Sequence, residues 1–340
     1  MRILMVGHYP PLRGGVARHV KELVDCLRAR HEVHVLTYKL RGEESREENV
    51  YYVRVPNLFG LRGLSFSLLA SKKIVDLDKK NDYDIIHAHY VGTTSYSAIL
   101  AKKRIGKPVI VTAHGSDLEF MSKLPLGEYL VKMSLKNADA VITVSHYLAR
   151  KAIALGANSV KVIPNWTNLS GDATGRAVIF MGRLTKYKGL DDFLKLAEMF
   201  PNVDFLVAGD GPLFSLSKDA PKNVKFLGYV KAENVLKEAK VLVLPSKREG
   251  FGLVLVEANS FGVPVLGRSV GGIGEIIRDG KNGYLFRDID EAARFLEVLI
   301  SNGKIHKKMG LIGRKVSKIY TLERACREVE RIYEEFASSP

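Results

Sequence analysis

Two glutamates close to residue 250 are the clearest candidates for chemistry in this sequence. Glu249 and Glu257 stand eight residues apart, and Gly250 and Gly252 follow the first of them. Glycine lets a backbone approach a ligand closely, and a helix that begins behind such a loop offers unpaired N–H groups to an anion. At ~1.5 Å of helical rise per residue, the two carboxylates would be ~12 Å apart. This spacing suits a ligand with a polar group at each end and phosphate between, such as a nucleotide sugar. Two solvated acids on an amphipathic helix would give the same pattern.

Basic residues on a second loop could hold such a phosphate. Residues 180–189 read F-M-G-R-L-T-K-Y-K-G and continue an apolar stretch typical of a strand. Arg183 and Lys188 in this loop would suit a diphosphate and the charge that develops on it. Lys186 is interpreted as a surface lysine, and either of the other two alone could also be an ordinary solvated residue.

Histidines follow two other predicted strands. In D-I-I-H-A-H, residues 84–89, strand alternation places His87 and His89 on one face. Both could bind a metal, but no third ligand has an obvious spacing, so we expect no metal site. His87 is more typical of a hydrogen-bonded core residue, whereas His89 is expected to face a cleft. His114, in T-A-H-G-S-D, follows a strand at the end where sheets of this kind carry ligand sites.

The first loop of the chain contains a pair of glycines, Gly14 and Gly15, at the predicted start of the first helix. Their N–H groups could meet a phosphate or a sugar there. The pattern is not G-x-G-x-x-G, so the dinucleotide-binding fingerprint is missing. A turn needed only for its geometry is the alternative.

Short apolar runs alternate with helical patterns along the whole chain, which predicts parallel sheets built from βαβ units. The predicted strands of the first half are residues 3–6, 33–36, 51–55, 85–88, 109–113, 140–144 and 160–163. Those of the second half are residues 178–181, 205–208, 224–227, 241–244, 263–266 and 284–286.

A polar stretch at residues 164–176 separates the two series and is interpreted as a linker. We therefore predict two domains, residues 1–168 and 169–321, with a helix over 322–337 after them. Each domain is expected to be a doubly wound, Rossmann-like α/β domain. Ligands of such sheets bind at the carboxyl ends of the strands, and we expect the domains to face a central cleft.

The chain is basic, with a formal net charge of +15. Residues 1–168 hold 25 Lys and Arg against 15 Asp and Glu, so most of the excess lies in the first half. Such a surface could attract anionic lipid, nucleic acid or phosphorylated substrates. The sequence contains no glutamine, which also favours a heat-adapted surface. No zinc-finger, RNP or helix-turn-helix pattern is present, so a nucleic-acid partner is not expected.

The cysteine content, the start of the sequence and its hydropathy together favour a cytoplasmic protein. Cys26 and Cys326 lie far apart and suggest neither a disulfide framework nor a metal cluster, which fits a reducing compartment. The first strand begins at once, so no leader peptide is expected, and no apolar run reaches the ~18 residues of a membrane span. Residues 55–75 combine apolar and basic side chains and could rest on an anionic membrane surface. A helix covering the first sheet would show the same pattern.

Taken together, the motifs resemble the family-four retaining glycosyltransferases of the GT-B fold, glycosyl transferases group 1. The resemblance covers nearly the whole chain, and the motifs occur in the expected order. The matching segments are G-G-V at 14–16, A-H-G-S-D at 113–117, I-P-N at 163–165, G-R-L-x-K-x-K-G at 182–189, A-G-D-G-P at 208–212, F-L-G-Y-V at 226–230, P-S-x-x-E-G-F-G-L-V-L-V-E-A at 245–258 and G-G-I-x-E-I-I-x-D-G-x-N-G at 271–283.

The resemblance implies a role for each candidate residue. Glu249 would contact the hydroxyls of the donor sugar, and Glu257 those of the nucleotide ribose. Arg183 and Lys188 would hold the diphosphate, and His114 would line the donor-sugar and acceptor side of the cleft. The remaining donor-binding positions are Gly14 and Gly15 near the phosphates, Val230 near the base, and the segment after the first glutamate, namely Gly250, Phe251, Gly252 and Leu253.

The same resemblance implies the activity. A sugar would pass from a UDP-, GDP- or ADP-sugar to a hydroxyl of a glycan, glycolipid or small polyol, with retention of configuration. No D-x-D cluster is present, so we expect neither an obligatory divalent metal nor another cofactor. The final helix would cross back to the first domain. Gly274 and Trp166 depart from the family, which often has proline and glycine at these positions.

Two other functions are compatible with the sequence. A sugar-nucleotide epimerase of the same fold would convert a donor without an acceptor. A non-catalytic basic protein bound to a membrane surface would account for the charge and for residues 55–75.

Overall fold

The computed structural model describes residues 1–12, 14–38, 47–55 and 62–337. The chain divides into two units. Unit 1 contains residues 1–164 and the C-terminal helix, and unit 2 contains residues 165–321.

Unit 1 is built on a parallel sheet of seven strands in the order β3-β2-β1-β4-β5-β6-β7. Its strands are β1 (Arg2–Val6), β2 (Glu32–Tyr38), β3 (Val50–Val53), β4 (Ile85–His89), β5 (Val109–Ala113), β6 (Ala140–Thr143) and β7 (Val160–Val162). Its helices are α1 (Gly15–Leu27), α2 (Arg62–Asn81), α3 (Thr93–Ile105), α4 (Ser116–Glu119), α5 (Pro125–Asn137), α6 (His146–Ala154) and α13 (Leu322–Ala337), with a 3-10 turn at Met121–Lys123.

Unit 2 is built on a parallel sheet of six strands in the order β10-β9-β8-β11-β12-β13. Its strands are β8 (Ala177–Met181), β9 (Phe205–Ala208), β10 (Val224–Gly228), β11 (Ala239–Leu244), β12 (Val265–Arg268) and β13 (Gly283–Phe286). Its helices are α7 (Leu190–Met199), α8 (Ala232–Glu238), α9 (Leu253–Ser260), α10 (Ile273–Ile276), α11 (Ile289–Ser301) and α12 (Gly303–Ser317), with 3-10 turns at Lys186–Lys188 and Pro212–Lys218.

The central strands are buried along their whole length, because helices cover both faces of each sheet. Every residue of β4, β5 and β8 is buried. β8 is accordingly an uninterrupted apolar run, whereas β4 and β5 also carry the buried polar residues His87, His89 and Thr112. In unit 2, Phe180, Phe193 and Phe205 form the aromatic centre of the core. Each predicted strand overlaps an observed one, and the predicted doubly wound α/β class is confirmed. Of the segment 55–75, residues 56–61 lie outside the described residues, and the part from Arg62 onward belongs to α2.

Each sheet contains a switch point, where the chain order reverses. In unit 1, β1 lies between β2 and β4, and in unit 2, β8 lies between β9 and β11. Loops that leave the carboxyl ends of strands on either side of such a point diverge and leave a crevice between them. The candidate residues of each unit follow these strands.

The C-terminal helix α13 packs on α1 and β4 of unit 1. Cys26 on α1 and Cys326 on α13 form a disulfide with a Cα–Cα distance of 6.5 Å. Beside it, Glu330 accepts hydrogen bonds from the Arg30 guanidinium at 2.7 and 2.8 Å and lies 3.0 Å from His31 Nε2. The prediction of unpaired cysteines is therefore wrong. It relied on their separation of 300 residues, which the return of the chain to unit 1 brings together.

Among the residues described by the structure, no helix is both long enough and apolar enough to cross a membrane.

Candidate active site

The switch point of unit 2 brings the two most informative sequence motifs together. β8 and β11 are paired neighbours in the sheet, so the loops after their carboxyl ends are adjacent. The first loop contains Arg183 and Lys188, and the second contains Glu249. Backbone hydrogen bonds hold the two loops to each other, since Lys247 N donates to Tyr187 O at 2.7 Å.

Lys188 and Glu249 form the central polar contact of this site. Lys188 Nζ donates to Glu249 Oε2 at 2.6 Å, and the side chains are 21% and 12% exposed, respectively. Ser246 Oγ donates to the same carboxylate oxygen at 3.1 Å. The carboxylate is thus held in one orientation by two donors while it remains accessible at the edge of the sheet. Ser246 was not among the predicted site residues, although it stands in the P-S-x-x-E segment at 245–249.

Glycines allow the loops to pack this closely. A Cβ on Gly189, which has a φ of 74°, would lie 2.2 Å from Pro245 O, and one on Gly271, with a φ of 59°, would lie 1.9 Å from Glu249 O. The following residue, Gly272, donates its N–H to Glu249 O at 3.0 Å. The loop after β12 therefore fixes the backbone of Glu249. These contacts require glycine because any side chain would push the loops apart.

The helix α9 begins directly after the first glutamate. Gly252 is its N-cap residue, with φ and ψ of 94° and 48°, and supplies no side-chain cap. Leu253 opens the helix, whose first N–H groups have no partners within the helix and form a suitable site for an anion. Gly250 and Phe251 are buried just before it, with the Phe251 ring packed edge-on against Tyr320.

Glu257 lies on α9 and is only 4% exposed. A buried carboxylate is costly unless it is paired or bound, so the alternative of two solvated surface acids does not describe this residue.

Two predicted donor-binding residues take no part in this contact. Arg183 is exposed, and among the described residues its side chain forms no hydrogen bond or ion pair, although its carbonyl accepts from Thr185 N at 3.0 Å. Val230 follows β10, which is the edge strand and is separated from β11 by β9 and β8. Val230 is 37% exposed. The structure therefore joins Lys188 and Glu249 directly. Arg183 lies on the same loop as Lys188, and Val230 follows a strand at the edge of the sheet.

In unit 1, the candidate residues follow β1, β4 and β5, which are neighbours in the sheet. Gly14, with a φ of 133°, is the N-cap of α1, and Gly15 begins that helix. A Cβ on either glycine would meet no atom within 4 Å. There is therefore open space beside each of these two glycines, and their predicted contact with a phosphate or a sugar stays a prediction.

Four histidines lie close to one another at this edge of the sheet. His87 and His89 do share a strand face, with ring centroids 4.2 Å apart. His87 donates to or accepts from Tyr333 OH at 2.6 Å and Thr112 Oγ1 at 2.7 Å, so its predicted role as a hydrogen-bonded core residue is confirmed. Burial lowers the pKa of His87 to about 3.

Two further histidines lie near His89, although no spacing in the sequence indicated a third metal ligand. His19 on α1 and His114 after β5 both approach His89, and one nitrogen from each of the three rings lies within 4.8 Å of the others. His89 Nδ1 is 3.2 Å from His114 Nε2. Burial lowers the pKa of both rings well below the usual value of 6.5, with neighbouring histidines adding to the effect. Sequence spacing could not show this cluster, because its members come from three separate segments.

Asp117 fixes the loop that holds His114, and it was also missed as a separate candidate. Its buried carboxyl oxygens accept N–H hydrogen bonds from Val91, His114, Gly115 and Leu118 at 2.7–3.0 Å. Burial raises the pKa of Asp117, although these N–H groups oppose the shift. The position of the aspartate three residues after the histidine was the available signal.

Two family profiles match the chain, one over most of unit 1 and the other over most of unit 2. The Glycosyltransferase Family 4 profile matches residues 13–170, and the Glycosyl transferases group 1 profile matches residues 169–316. An uncharacterised glycosyltransferase of Methanocaldococcus jannaschii is 32% identical over 99% of both chains. The chain therefore belongs to the glycosyltransferase family that these two profiles describe. It is a nucleotide-sugar-dependent enzyme of the hexosyltransferase type.

Two characterised relatives are named by their reactions. The N-acetyl-alpha-D-glucosaminyl L-malate synthase of Bacillus anthracis is 28% identical over 89% of each chain. The phosphatidyl-myo-inositol mannosyltransferase of Mycobacterium leprae is 27% identical over 100% of this chain and 98% of the relative.

Solved structures identify the fold as GT-B. The sucrose-phosphate synthase of Thermosynechococcus elongatus superposes with a TM-score of 0.87 at 19% identity and covers 99% of both chains. Anabaena HepE in complex with UDP-glucose has a TM-score of 0.80 at 18% identity, covering 98% of this chain and 100% of that structure.

Proposed function

We propose that this enzyme transfers a sugar from a nucleoside-diphosphate sugar to a hydroxyl of a glycan, a glycolipid or a small polyol, with retention of configuration. The observation that carries the proposal is the Lys188–Glu249 contact at the switch point of unit 2. It places a cation, a carboxylate and a helix N-terminus around one point, which matches the diphosphate and the sugar of such a donor.

The donor would be held along the segment from Glu249 to Glu257. Glu249, fixed by Ser246 and Lys188, would accept hydrogen bonds from the sugar hydroxyls. Glu257, on the following helix α9, would accept hydrogen bonds from the hydroxyls of the ribose. Carboxylates bind hydroxyl pairs well because they present two acceptor oxygens and lose little by exchanging one donor for another.

The leaving group would be stabilised by fixed positive charge. As the bond to the sugar breaks, negative charge develops on the β-phosphate. Lys188, Arg183 and the N–H groups of Gly250, Phe251, Gly252 and Leu253 would meet that charge without reorganisation, and preorganised donors of this kind act most strongly in the transition state. This account needs no metal ion for the transfer step.

In unit 1, the proposal assigns Gly14 and Gly15 to the phosphates and His114 to the donor sugar and the acceptor. Open space at the N-terminus of α1 supports the first assignment. The second is supported by the position of His114 at the carboxyl end of β5. In unit 2, Val230 is proposed to lie near the nucleotide base.

The named relatives indicate which donors and acceptors to test first. Anabaena HepE was solved with UDP-glucose, and the names of the two characterised relatives specify an N-acetylglucosaminyl group with malate, and a mannosyl group with phosphatidyl-myo-inositol. A UDP-sugar and a hydroxyl acceptor are therefore the first pair to test.

The deciding experiment is a panel of UDP-, GDP- and ADP-sugars, each offered with and without candidate acceptors, with nucleotide release as the measurement. Acceptor-dependent release from one donor supports the proposal. A change in the sugar that needs no acceptor would instead identify an epimerase. No release and no conversion of any donor by the folded protein would reject both reactions.

We also propose peripheral contact with an anionic membrane through unit 1. Leu68 on α2 and Leu126 and Tyr129 on α5 are at least 50% exposed, and both helices pack on α3. Exposed Lys72 and Lys123 lie close to them in sequence. Exposed apolar side chains beside lysines are typical of surfaces that rest on anionic lipid. Co-sedimentation with anionic vesicles at low and high salt tests this contact, and absence of binding at low salt would contradict it.

A further inference from the structure

The three-histidine cluster of unit 1 has the geometry of a metal site. Its ligand atoms belong to His19, His89 and His114, and all lie within 4.8 Å of one another. In a tetrahedral zinc site, Zn–N bonds of about 2.0–2.1 Å place neighbouring nitrogens about 3.3 Å apart. The 3.2 Å between His89 Nδ1 and His114 Nε2 agrees with that spacing, so a small shift of His19 would complete a three-nitrogen site.

The two ring nitrogens of His89 differ in their surroundings. His89 is fully buried, and its Nδ1 atom lies 3.2 Å from His114 Nε2, whereas Nε2 has no hydrogen-bond partner among the described residues. A metal shared with His114 would therefore use Nδ1, and the proton of the His89 ring would then lie on Nε2.

The surrounding residues hold two of the ligands in place. The His87 ring packs 4.2 Å from the His89 ring and is itself fixed by Thr112 and Tyr333. Asp117 fixes the backbone at His114 through its hydrogen bond to the His114 N–H. Support of this kind orients ligands before a metal arrives and raises affinity.

We infer that His19, His89 and His114 bind a divalent transition metal, with zinc as the best match. Three imidazoles without a carboxylate favour zinc, cobalt, nickel or copper over magnesium or calcium, which prefer oxygen ligands. A three-histidine set also leaves a fourth position for a water molecule or another small ligand. The inference concerns binding alone and does not depend on the proposed transfer reaction, in which a metal has no part.

Direct metal titration tests the inference. Metal-free protein without an affinity tag is titrated with Co²⁺, followed by visible absorption, and with Zn²⁺ in competition with a chromophoric chelator. We expect one equivalent to bind per chain, and His19→Asn to weaken the binding by about tenfold or more, because loss of a ligand should cost at least as much as loss of a supporting residue. His146→Asn removes an exposed imidazole outside the cluster and should leave the affinity unchanged.

Two further measurements keep the test decisive. Zn²⁺ should raise the Tm of the wild-type protein and of His146→Asn but not that of His19→Asn, since a ligand that binds only the folded state stabilises it. Circular dichroism without metal establishes that His19→Asn is folded, and if it is not, His19→Gln takes its place. Wild-type binding no tighter than that of the folded cluster variant would overturn the inference, whatever the outcome of the donor panel.

Discussion

Lys188 Nζ lies 2.6 Å from Glu249 Oε2, although the two residues are 61 positions apart in the chain. They meet because β8 and β11 are neighbours at the switch point of unit 2 and their loops leave from the same edge. Ser246 donates to the same oxygen, so Glu249 is held by two donors before any ligand binds.

Replacement of Lys188 tests the role of this contact in catalysis. Lys188→Ala should lower kcat by about 100-fold or more, because a positioned charge on the leaving phosphate acts mainly in the transition state. Lys186→Ala, on the same 3-10 turn, is the matched control and should stay within about twofold of wild type. Initial rates with the donor found in the panel measure both, and equal rates in the two variants would contradict the assignment of Lys188.

Replacement of Glu257 separates binding from chemistry. Glu257→Gln keeps the size of this buried side chain but weakens its acceptor capacity. If the carboxylate binds the ribose, the KM for the donor should rise about tenfold while kcat changes less, since a contact equally strong in the ground and transition states affects binding alone. A fall in kcat at unchanged KM would place Glu257 at the reacting centre instead.

Chelation tests whether the transfer step needs a metal. The proposed site meets the developing phosphate charge with Arg183, Lys188 and backbone N–H groups, so turnover should persist within about twofold in excess EDTA. Activity that disappears with chelator and returns with added Mg²⁺ or Mn²⁺ would contradict this account. Added Zn²⁺ should inhibit, because His114 is shared between the proposed acceptor side and the metal cluster.

The disulfide between Cys26 and Cys326 is expected to stabilise unit 1. It joins residues 300 positions apart, and cross-links over long loops restrict the unfolded chain strongly, with a typical effect of about 2–4 kcal/mol. Cys326→Ser should therefore lower the Tm measured by calorimetry without reductant. A reductant should lower the Tm of the wild type but leave the double variant Cys26→Ser with Cys326→Ser unaffected. A wild-type Tm that does not respond to reductant would reject a stabilising disulfide.

Glu330 predicts how the stability of unit 1 depends on pH. Burial alone would raise its pKa, but hydrogen bonds and charge from Arg30 and His31 outweigh burial and leave the pKa below the usual 4.5. A carboxyl whose pKa is lower in the folded state contributes stability above pH 4.5, and this contribution is lost as the pH falls through the lowered pKa. Urea unfolding at several pH values should show Glu330→Gln to be less stable than wild type near pH 7, with the difference shrinking below pH 4.5. A difference independent of pH would point to lost packing alone.

Local patterns were sufficient to predict the framework of this fold. Buried runs such as 85–89 and 109–113 marked strands because both faces of a parallel sheet are covered, and the glycines around Glu249 marked a close approach of backbone. A helix was predicted after the loop that holds Glu249, and α9 begins there at Leu253, although only burial showed that Glu257 is no surface residue.

Contacts between distant segments could not be read in this way. The disulfide, the Glu330 ion pair and the three-histidine cluster all join elements whose separation in sequence gives no period to detect. Cys26 and Cys326 were predicted to form no disulfide, and no third ligand was identified for His87 and His89, because each residue was judged from its own segment.

The sequence by itself determined the class of this enzyme, since motif order, residue types and strand patterns are local properties of the chain. Tertiary structure decided which of those residues meet. The strand order places β8 beside β11, and it places β4 between β1 and β5. This order brings Lys188 to Glu249, and it brings His19 and His114 to His89. The sequence specifies the chemistry of each side chain. The order of the strands in each sheet determines which side chains come within bonding distance and form a site.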